Sequence, residues 1–268
     1  MITLPFTKMA AAGNDFVVID SRRVKISNGA KLAKRLCDRK LSVGGDGLLL
    51  LGKSSKADVR MRIFNPDGSE AEMCGNGVRC LAKFAVDNKI AGKNLFIDTI
   101  AGTIEADVRG QIVKAKMAQP KELSLDVHVS VNGQETALHF INTGVPHAVK
   151  LVSSLASVAV QALGKEIRFH KHFSPRGTNV DFISFRPGNA ISIRTYERGV
   201  EAETLSCGTG STAGALVAAA LNNLKSPVRV HTQSGEILKV YFSKKGNEFC
   251  DVFLEGRVQN SFEGRVEI

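Results

Sequence analysis

The chain has 268 residues, 43% of them hydrophobic, and carries 36 Lys and Arg against 26 Asp and Glu for a net charge of +10. That composition belongs to an ordinary globular protein with room for two modest domains, and it excludes a disordered or low-complexity chain. The longest apolar stretch, near Gly214 to Leu221, is far too short to span a bilayer, and Met1 to Met9 lacks the basic-then-apolar order of a secretion leader, so a cytoplasmic protein with no membrane association is expected.

In chain order, Ala30 to Arg39 reads as a helix with Lys31, Lys34 and Arg35 on a solvated face. Val59 to Ile63 alternates apolar and polar with period two, as a half-buried strand does. Val78 to Asp87 is helical, apolar at Val78, Leu81, Ala82, Ala85 and Val86. Ile112 to Met117 and Val127 to Val131 alternate again, and Asn132-Gly133 is a hairpin turn into Ala137 to Ile141. Leu155 to Leu163 reads as a helix, Ile191 to Thr195 as a strand, and Ser211 to Asn223, small and apolar nearly all round, as a helix wrapped by sheet. Antiparallel sheet is expected to dominate, and Pro120 marks a boundary between two halves. The fold class that follows is α+β: two similar, pseudo-symmetric domains, each a mainly antiparallel curled sheet around one central helix, with the active site in the cleft between them.

One short pattern occurs in both halves. Glu70 to Gly77 and Glu203 to Gly210 each read E-x-x-x-C-G-x-G, and Cys74 and Cys207 stand 207 − 74 = 133 positions apart, as a duplicated half-chain requires. Each cysteine directly precedes a predicted buried helix, where unpaired backbone N–H groups and the helix dipole stabilise a thiolate, so lowered thiol pKa values are expected. The glycines beside Asn76 and Thr209 let backbone N–H groups close on a carboxylate. Two such helix starts meeting head to head would place a sulfur on each face of an α-carbon, one removing a proton as thiolate and the other delivering one as thiol. This chemistry needs no cofactor.

Five cysteines, none in a CxxC pair, point away from a disulfide scaffold and from a metal centre, and Cys37, Cys80 and Cys250 read as small buried hydrophobes. The basic residues are dispersed, Trp is absent and only two Tyr are present, which argues against nucleic acid as a partner. A basic field also draws in a small acidic substrate.

With these residues in view, the chain resembles the diaminopimelate epimerase family. The resemblance rests on Gly13-Asn14-Asp15-Phe16, Gly44-Gly45-Asp46-Gly47, the run from Phe64-Asn65 through Cys74-Gly-Asn-Gly-Val-Arg-Cys80, Gly144-Val-Pro-His147, Gly177-Thr-Asn179-Val, and Glu197-Arg-Gly199 leading to Ser206-Cys-Gly-Thr-Gly210. It implies a cofactor-independent conversion of LL-diaminopimelate to the meso isomer for lysine and peptidoglycan synthesis, usually by a homodimer. It also implies that the C-terminal strand returns to the first domain, giving domains of 1–120 with 255–268, carrying Cys74, and 121–254, carrying Cys207. By the same resemblance Cys74 and Cys207 are the acid/base pair, with His147 and Glu197 beside them to position or tune the thiols. Gly75, Asn76, Gly208 and Thr209 would contact the reacting carboxylate, Asn14, Asn65 and Asn179 the amino-acid groups, Glu197 an ammonium and Arg198 the distal carboxylate.

The chain departs from the family pattern at Ala10, Ala11 and Ala12, where a polar residue and a glycine are common, at Gly47 and at Val145. The loop at Asn14 is therefore expected to be shaped differently, and substrate choice to be less strict. The competing reading is a broader amino-acid racemase of the same two-thiol mechanism, acting on glutamate for example.

Overall fold

The computed structural model describes residues 3–24, 26–246 and 248–267, which divide into two compact units, Met1–Lys116 with Gly256–Ile268, and Met117–Glu255. The first unit runs β1 (Thr3–Ala11), β2 (Asn14–Asp20), α1 (Gly29–Leu36), β3 (Gly47–Gly52), β4 (Val59–Phe64), β5 (Glu70–Ala71), α2 (Gly75–Asp87), β6 (Asn94–Thr99), β7 (Gly102–Arg109) and β8 (Ile112–Lys116). β1 and β2 are antiparallel, β2 and β3 parallel, β3 and β4 antiparallel, β4 and β6 parallel, and β6, β7 and β8 successively antiparallel.

β3 explains the layering. Its run Gly47-Leu-Leu-Leu-Leu-Gly52 is apolar on both faces because both are covered. Leu48 and Leu50 join Leu32 and Leu36 of α1 in one cluster, while Leu49 and Leu51 join Val78, Leu81 and Ala85 of α2 in another. α2 is buried from Asn76 to Ala85, which makes it the central helix of its unit.

The second unit repeats this topology. It runs β9 (Lys121–Val131), β10 (Gln134–Asn142), β11 (Pro146–Leu151), α3 (Val160–Arg168), β12 (Asn179–Arg186), β13 (Ala190–Glu197), β14 (Ala202–Thr204), α4 (Gly208–Asn222), β15 (Val228–His231), β16 (Ile237–Lys245) and β17 (Glu248–Arg257). β10 and β11 are antiparallel, β11 and β12 parallel, β12 and β13 antiparallel, β13 and β15 parallel, and β15, β16 and β17 successively antiparallel. The last strand, β18 (Gln259–Glu267), lies in the first unit and pairs antiparallel with β1, as β9 pairs with β10 in the second. The architecture is thus α+β with a duplicated plan, and each unit holds two parallel pairings that period-two alternation alone did not reveal.

α4 is buried from Gly210 to Ala219 and ends on Asn223 in the left-handed conformation. Among the described residues no helix is long and apolar enough to cross a membrane.

One local expectation is corrected. The helix expected over Leu155 to Leu163 begins at Val160 and continues to Arg168, burying Val160, Gly164 and Ile167 at i, i+4 and i+7. Gly164, which looks like a breaker, lets α3 approach Tyr196: a Cβ there would stand 2.6 Å from the Tyr196 Cβ and 2.8 Å from its Cγ. Because Tyr196 is 1% exposed and has nowhere to move, Gly164→Ala is expected to lose about 2 kcal/mol of stability despite alanine's better helix propensity, read as a lower thermal midpoint. The loop before Asn14 is a tight turn. The β1–β2 hairpin closes through Ala12 at φ +50° and Gly13 at φ +89°, with Ala11 opposite Asn14, so a buried alanine does take the left-handed position at the two-residue turn.

Candidate active site

In the first unit, Cys74 is the N-cap residue of α2 in an extended conformation, and Gly75, Asn76 and Gly77 form the helix's first turn. The N–H groups of such a turn have no partner within the helix and aim at whatever lies before it. Behind them runs a polar relay. Fully buried Arg79 donates through Nη2 to Asn76 Oδ1 (2.6 Å), Asn76 donates through Nδ2 to Asn14 Oδ1 (2.7 Å), and Asn14 donates to Asp46 Oδ2 (3.2 Å).

Asp46 and Asp15 share Arg39, and Asp15 also pairs with Lys8 at 2.8 Å. Burial by itself would raise the Asp15 carboxyl, but the hydrogen bonds from Arg39 and Lys8 more than reverse this and hold it well below the usual carboxylate range. Asn14 and Asn76 are therefore brought together and oriented by charges. Asn65 sits apart from this relay, closing a turn through Nδ2 to Ser69 Oγ (3.0 Å) with Gly68 at φ +86°.

In the second unit, Cys207 is the N-cap residue of α4 and its sulfur accepts from Gly210 N at 3.4 Å, with Thr209 Oγ1 at 3.3 Å. Gly208 and Thr209 open the helix, and Thr143 Oγ1 donates to the Thr209 carbonyl at 3.0 Å. Strand alternation and register deliver the remaining groups. His147 on β11 lies opposite Asn179 on β12, Asp181 is two residues further along β12 on the same face, and Thr195 on β13 lies opposite Asp181, two residues before Glu197. His147 Nδ1 and Asp181 Oδ2 are 2.7 Å apart with both side chains fully buried, and Thr195 Oγ1 donates to Asp181 Oδ1 at 2.7 Å. Among the described residues His147 Nε2 has no hydrogen-bond partner.

Glu197 accepts from Thr204 Oγ1 at 2.5 Å. Burial pushes its carboxyl up, and the hydrogen bonds from Thr204 and Cys207 and the nearby His147 offset this only in part. For Cys207 the expected lowering is corrected. Burial pushes its thiol well above the ordinary range, the carboxyls of Glu197 and Asp181 add to the effect, and the hydrogen bonds from Thr209 and Gly210 only partly oppose them. A helix start therefore does not make this sulfur a thiolate, because burial with two acidic neighbours outweighs it.

A thiol raised in the fold contributes stability that is complete below the unfolded range, about 8.5, and is lost as pH rises through the folded value. Alkylation of Cys207 by iodoacetamide, followed by mass spectrometry, is expected to be slow at pH 7.5 and still climbing beyond pH 9. Glu197→Gln removes a like charge and is expected to speed it. A rate that levels off below pH 8 would contradict this account.

Asn179 and Arg198 form one unit of structure. Asn179 Oδ1 accepts from Arg198 N (2.9 Å) and its Nδ2 donates to the Pro146 carbonyl (3.1 Å), leaving one N–H for a ligand. The Arg198 guanidinium has only long contacts, 3.5 Å, to the carbonyls of Arg176 and Gly177, and among the described residues no carboxylate pairs with it. Burial lowers its pKa, the charges of Arg168 and Arg176 add to this and Glu201 opposes it, so the guanidinium is short of a carboxylate partner rather than neutralised. Arg168 is already committed to Glu201 at 2.9 Å.

Of the other cysteines, Cys37 and Cys80 are buried, with burial pushing Cys37 up to about 11. Cys250 is only half-buried, facing the Ser243 carbonyl across β16 and β17, contrary to the expectation of a core residue. Sequence reasoning missed Asp181, Thr195, Thr204 and Arg79. The signal for Asp181 was available in Asn179-Val-Asp181, where alternation puts the acid on the same face as Asn179.

Comparison with known proteins matches residues 6–122 and 139–259 to the family described as diaminopimelate epimerase. The chain is 43% identical over 277 residues to a diaminopimelate epimerase of Aquifex aeolicus, covering 98% of each protein. It is 39% identical to one of Methanocella arvoryzae, covering 100% of this chain and 98% of the relative. Among solved structures, a Bacillus anthracis phenazine biosynthesis protein of the PhzF family superposes with a TM-score of 0.79 at 17% identity over the whole of both chains. A hydroxyproline epimerase of Agrobacterium vitis, solved with trans-4-hydroxy-L-proline bound, gives a TM-score of 0.71 at 18% identity, covering 98% of this chain and 91% of that one. These two establish likeness of fold alone.

Proposed function

Because the chain belongs to the diaminopimelate epimerase family, we propose that it interconverts LL- and meso-diaminopimelate by proton transfer at one α-carbon, with Cys74 and Cys207 as the two bases. The observation that carries this reading is the pair of thiols, each the N-cap residue of its unit's central buried helix, in a chain matched end to end by epimerases. Turnover begins with the Cys207 sulfur carrying its proton, as its burial among acidic groups favours. Cys74, as thiolate, removes the α-proton, and the electron pair is left on a carbanion whose carboxylate is stabilised by N–H groups of a helix start. Cys207 then delivers its proton to the opposite face and is left as thiolate, while Cys74 holds the proton it took. The reverse reaction restores both.

Arg198 serves the distal carboxylate, and Asn14 and Asn76, aligned through Arg79 and Asp46, serve the reacting end. Asn65 joins the substrate from its turn, Glu197 meets an ammonium, and Gly75, Gly208 and Thr209 offer backbone N–H groups. The protein acts as a cytoplasmic homodimer without a cofactor, supplying lysine and peptidoglycan synthesis; the family resemblance supports this.

Incubation with LL-diaminopimelate, with the isomers separated by chromatography, is expected to give the meso isomer and to leave L-glutamate unchanged. Racemised glutamate beside unchanged diaminopimelate would retain the chemistry and overturn the substrate.

A further inference from the structure

On the α4 side of its sheet the second unit buries a row of polar groups that the first unit does without. His147, Asp181 and Thr195 are 0%, 0% and 3% exposed. The repeated topology and register match them to Phe16, Leu49 and Ile63: Phe16 stands opposite the first residue of β3 as His147 stands opposite the first residue of β12, and Ile63 faces Leu49 as Thr195 faces Asp181. The helix glycines display the match directly. A Cβ on Gly77 would meet Leu49 at 3.2 Å and Ile63 at 3.3 Å, whereas a Cβ on Gly210 would meet Asp181 Oδ1 at 2.4 Å.

In the first unit these three positions join one apolar cluster. The fold can therefore be built with hydrocarbon here, and burying an imidazole, a carboxylate and a hydroxyl in its place gains nothing in stability over apolar packing. A carboxylate only accepts hydrogen bonds, so for a neutral imidazole the 2.7 Å contact selects the Nδ1–H tautomer and makes Nε2 the acceptor, with no partner among the described residues.

We propose that Asp181, itself held by Thr195, is a positioning residue for the reaction, locking His147 in the Nδ1–H tautomer so that Nε2 stands as the open proton acceptor. The proposal rests on the epimerase reading. Asp181 acts through His147 and has no need to touch substrate.

The test combines kinetics with ¹⁵N NMR on histidine-labelled protein at a pH where the imidazoles are neutral, with His147 assigned through His147→Gln. The native protein is expected to show His147 as the Nδ1–H tautomer. In Asp181→Asn, whose amide can donate to Nδ1 as readily as accept from it, the single-tautomer signature is expected to be lost, with kcat falling at least about tenfold and KM changing by less than about twofold. Native His147 as the Nε2–H tautomer, or a folded Asp181→Asn with unchanged kcat, would overturn the proposal. Should Asp181→Asn not fold, Thr195→Val, which copies the hydrocarbon of Ile63, decides by the same two readouts: a weakened tautomer preference with lower kcat supports the lock, and neither change refutes it. A native protein that leaves LL-diaminopimelate untouched would instead sink the epimerase reading, while the NMR result still judges the lock itself.

Discussion

Cys74→Ser and Cys207→Ser are each expected to slow inversion of LL-diaminopimelate by about 10²–10⁴-fold while leaving the thermal midpoint nearly unchanged, because a hydroxyl is far too weak an acid to take over either proton transfer. The expectation holds equally for both sulfurs although their surroundings differ. Cys207 lies among Glu197 and Asp181, which favour the thiol, whereas α2 carries the fully buried cation Arg79 one turn beyond Cys74, bonded to Asn76. A two-base reaction needs both, so one variant retaining full inversion would contradict the mechanism. Coupled measurement of kcat and KM for each variant, with circular dichroism to establish folding, provides the check.

Gly210→Ala is expected to damage both stability and turnover through a single methyl. Its Cβ would stand 2.4 Å from Asp181 Oδ1 and 3.2 Å from the Cys207 Cβ. Asp181 cannot swing aside, because His147 and Thr195 hold both of its oxygens. The strain is expected to cost about 1–3 kcal/mol of stability and, by moving a positioned group by up to an ångström, about 10²-fold in kcat. Gly77→Ala is the matched control. There the tight approaches of the Cβ are to the methyl ends of Leu49 and Ile63 at 3.2 and 3.3 Å, which can turn, and the Cys74 Cβ stands at an ordinary 3.6 Å, so a loss below about 1 kcal/mol is expected. Equal losses at the two glycines, in chemical unfolding, would show that the buried carboxylate is less rigidly held than its hydrogen bonds imply.

Much of this was legible in the residues. The repeated E-x-x-x-C-G-x-G located both N-caps, and the apolar run after Gly210 gave away a helix covered on every side. Alternation at Val59 to Ile63 and Ile191 to Thr195 placed two strands. Other features escaped for physical reasons. The parallel pairings of β2 with β3 and β11 with β12 depend on crossovers through α1 and α3, and periodicity does not encode the direction in which a neighbour runs. α3 starts later than the sequence suggests because Leu155 and Val158, partly buried ahead of the helix, mimic its apolar stripe. The Cys207 thiol was misjudged because a local rule, the helix start, was applied without the long-range one, burial beside Glu197 and Asp181. The orientation of Asn14 depends on Asp46, Asn76 and Arg79, brought together only by folding.

The most direct test of the two-thiol account is the reaction of LL-diaminopimelate in deuterated water, stopped within the first few per cent of conversion. Two single-proton bases acting from opposite faces are expected to give meso product carrying solvent deuterium at the inverted carbon, with the remaining LL substrate unlabelled. Product that keeps the original hydrogen at that carbon would mean that one base carries the proton from face to face, and would contradict the assignment of Cys74 and Cys207 as a pair.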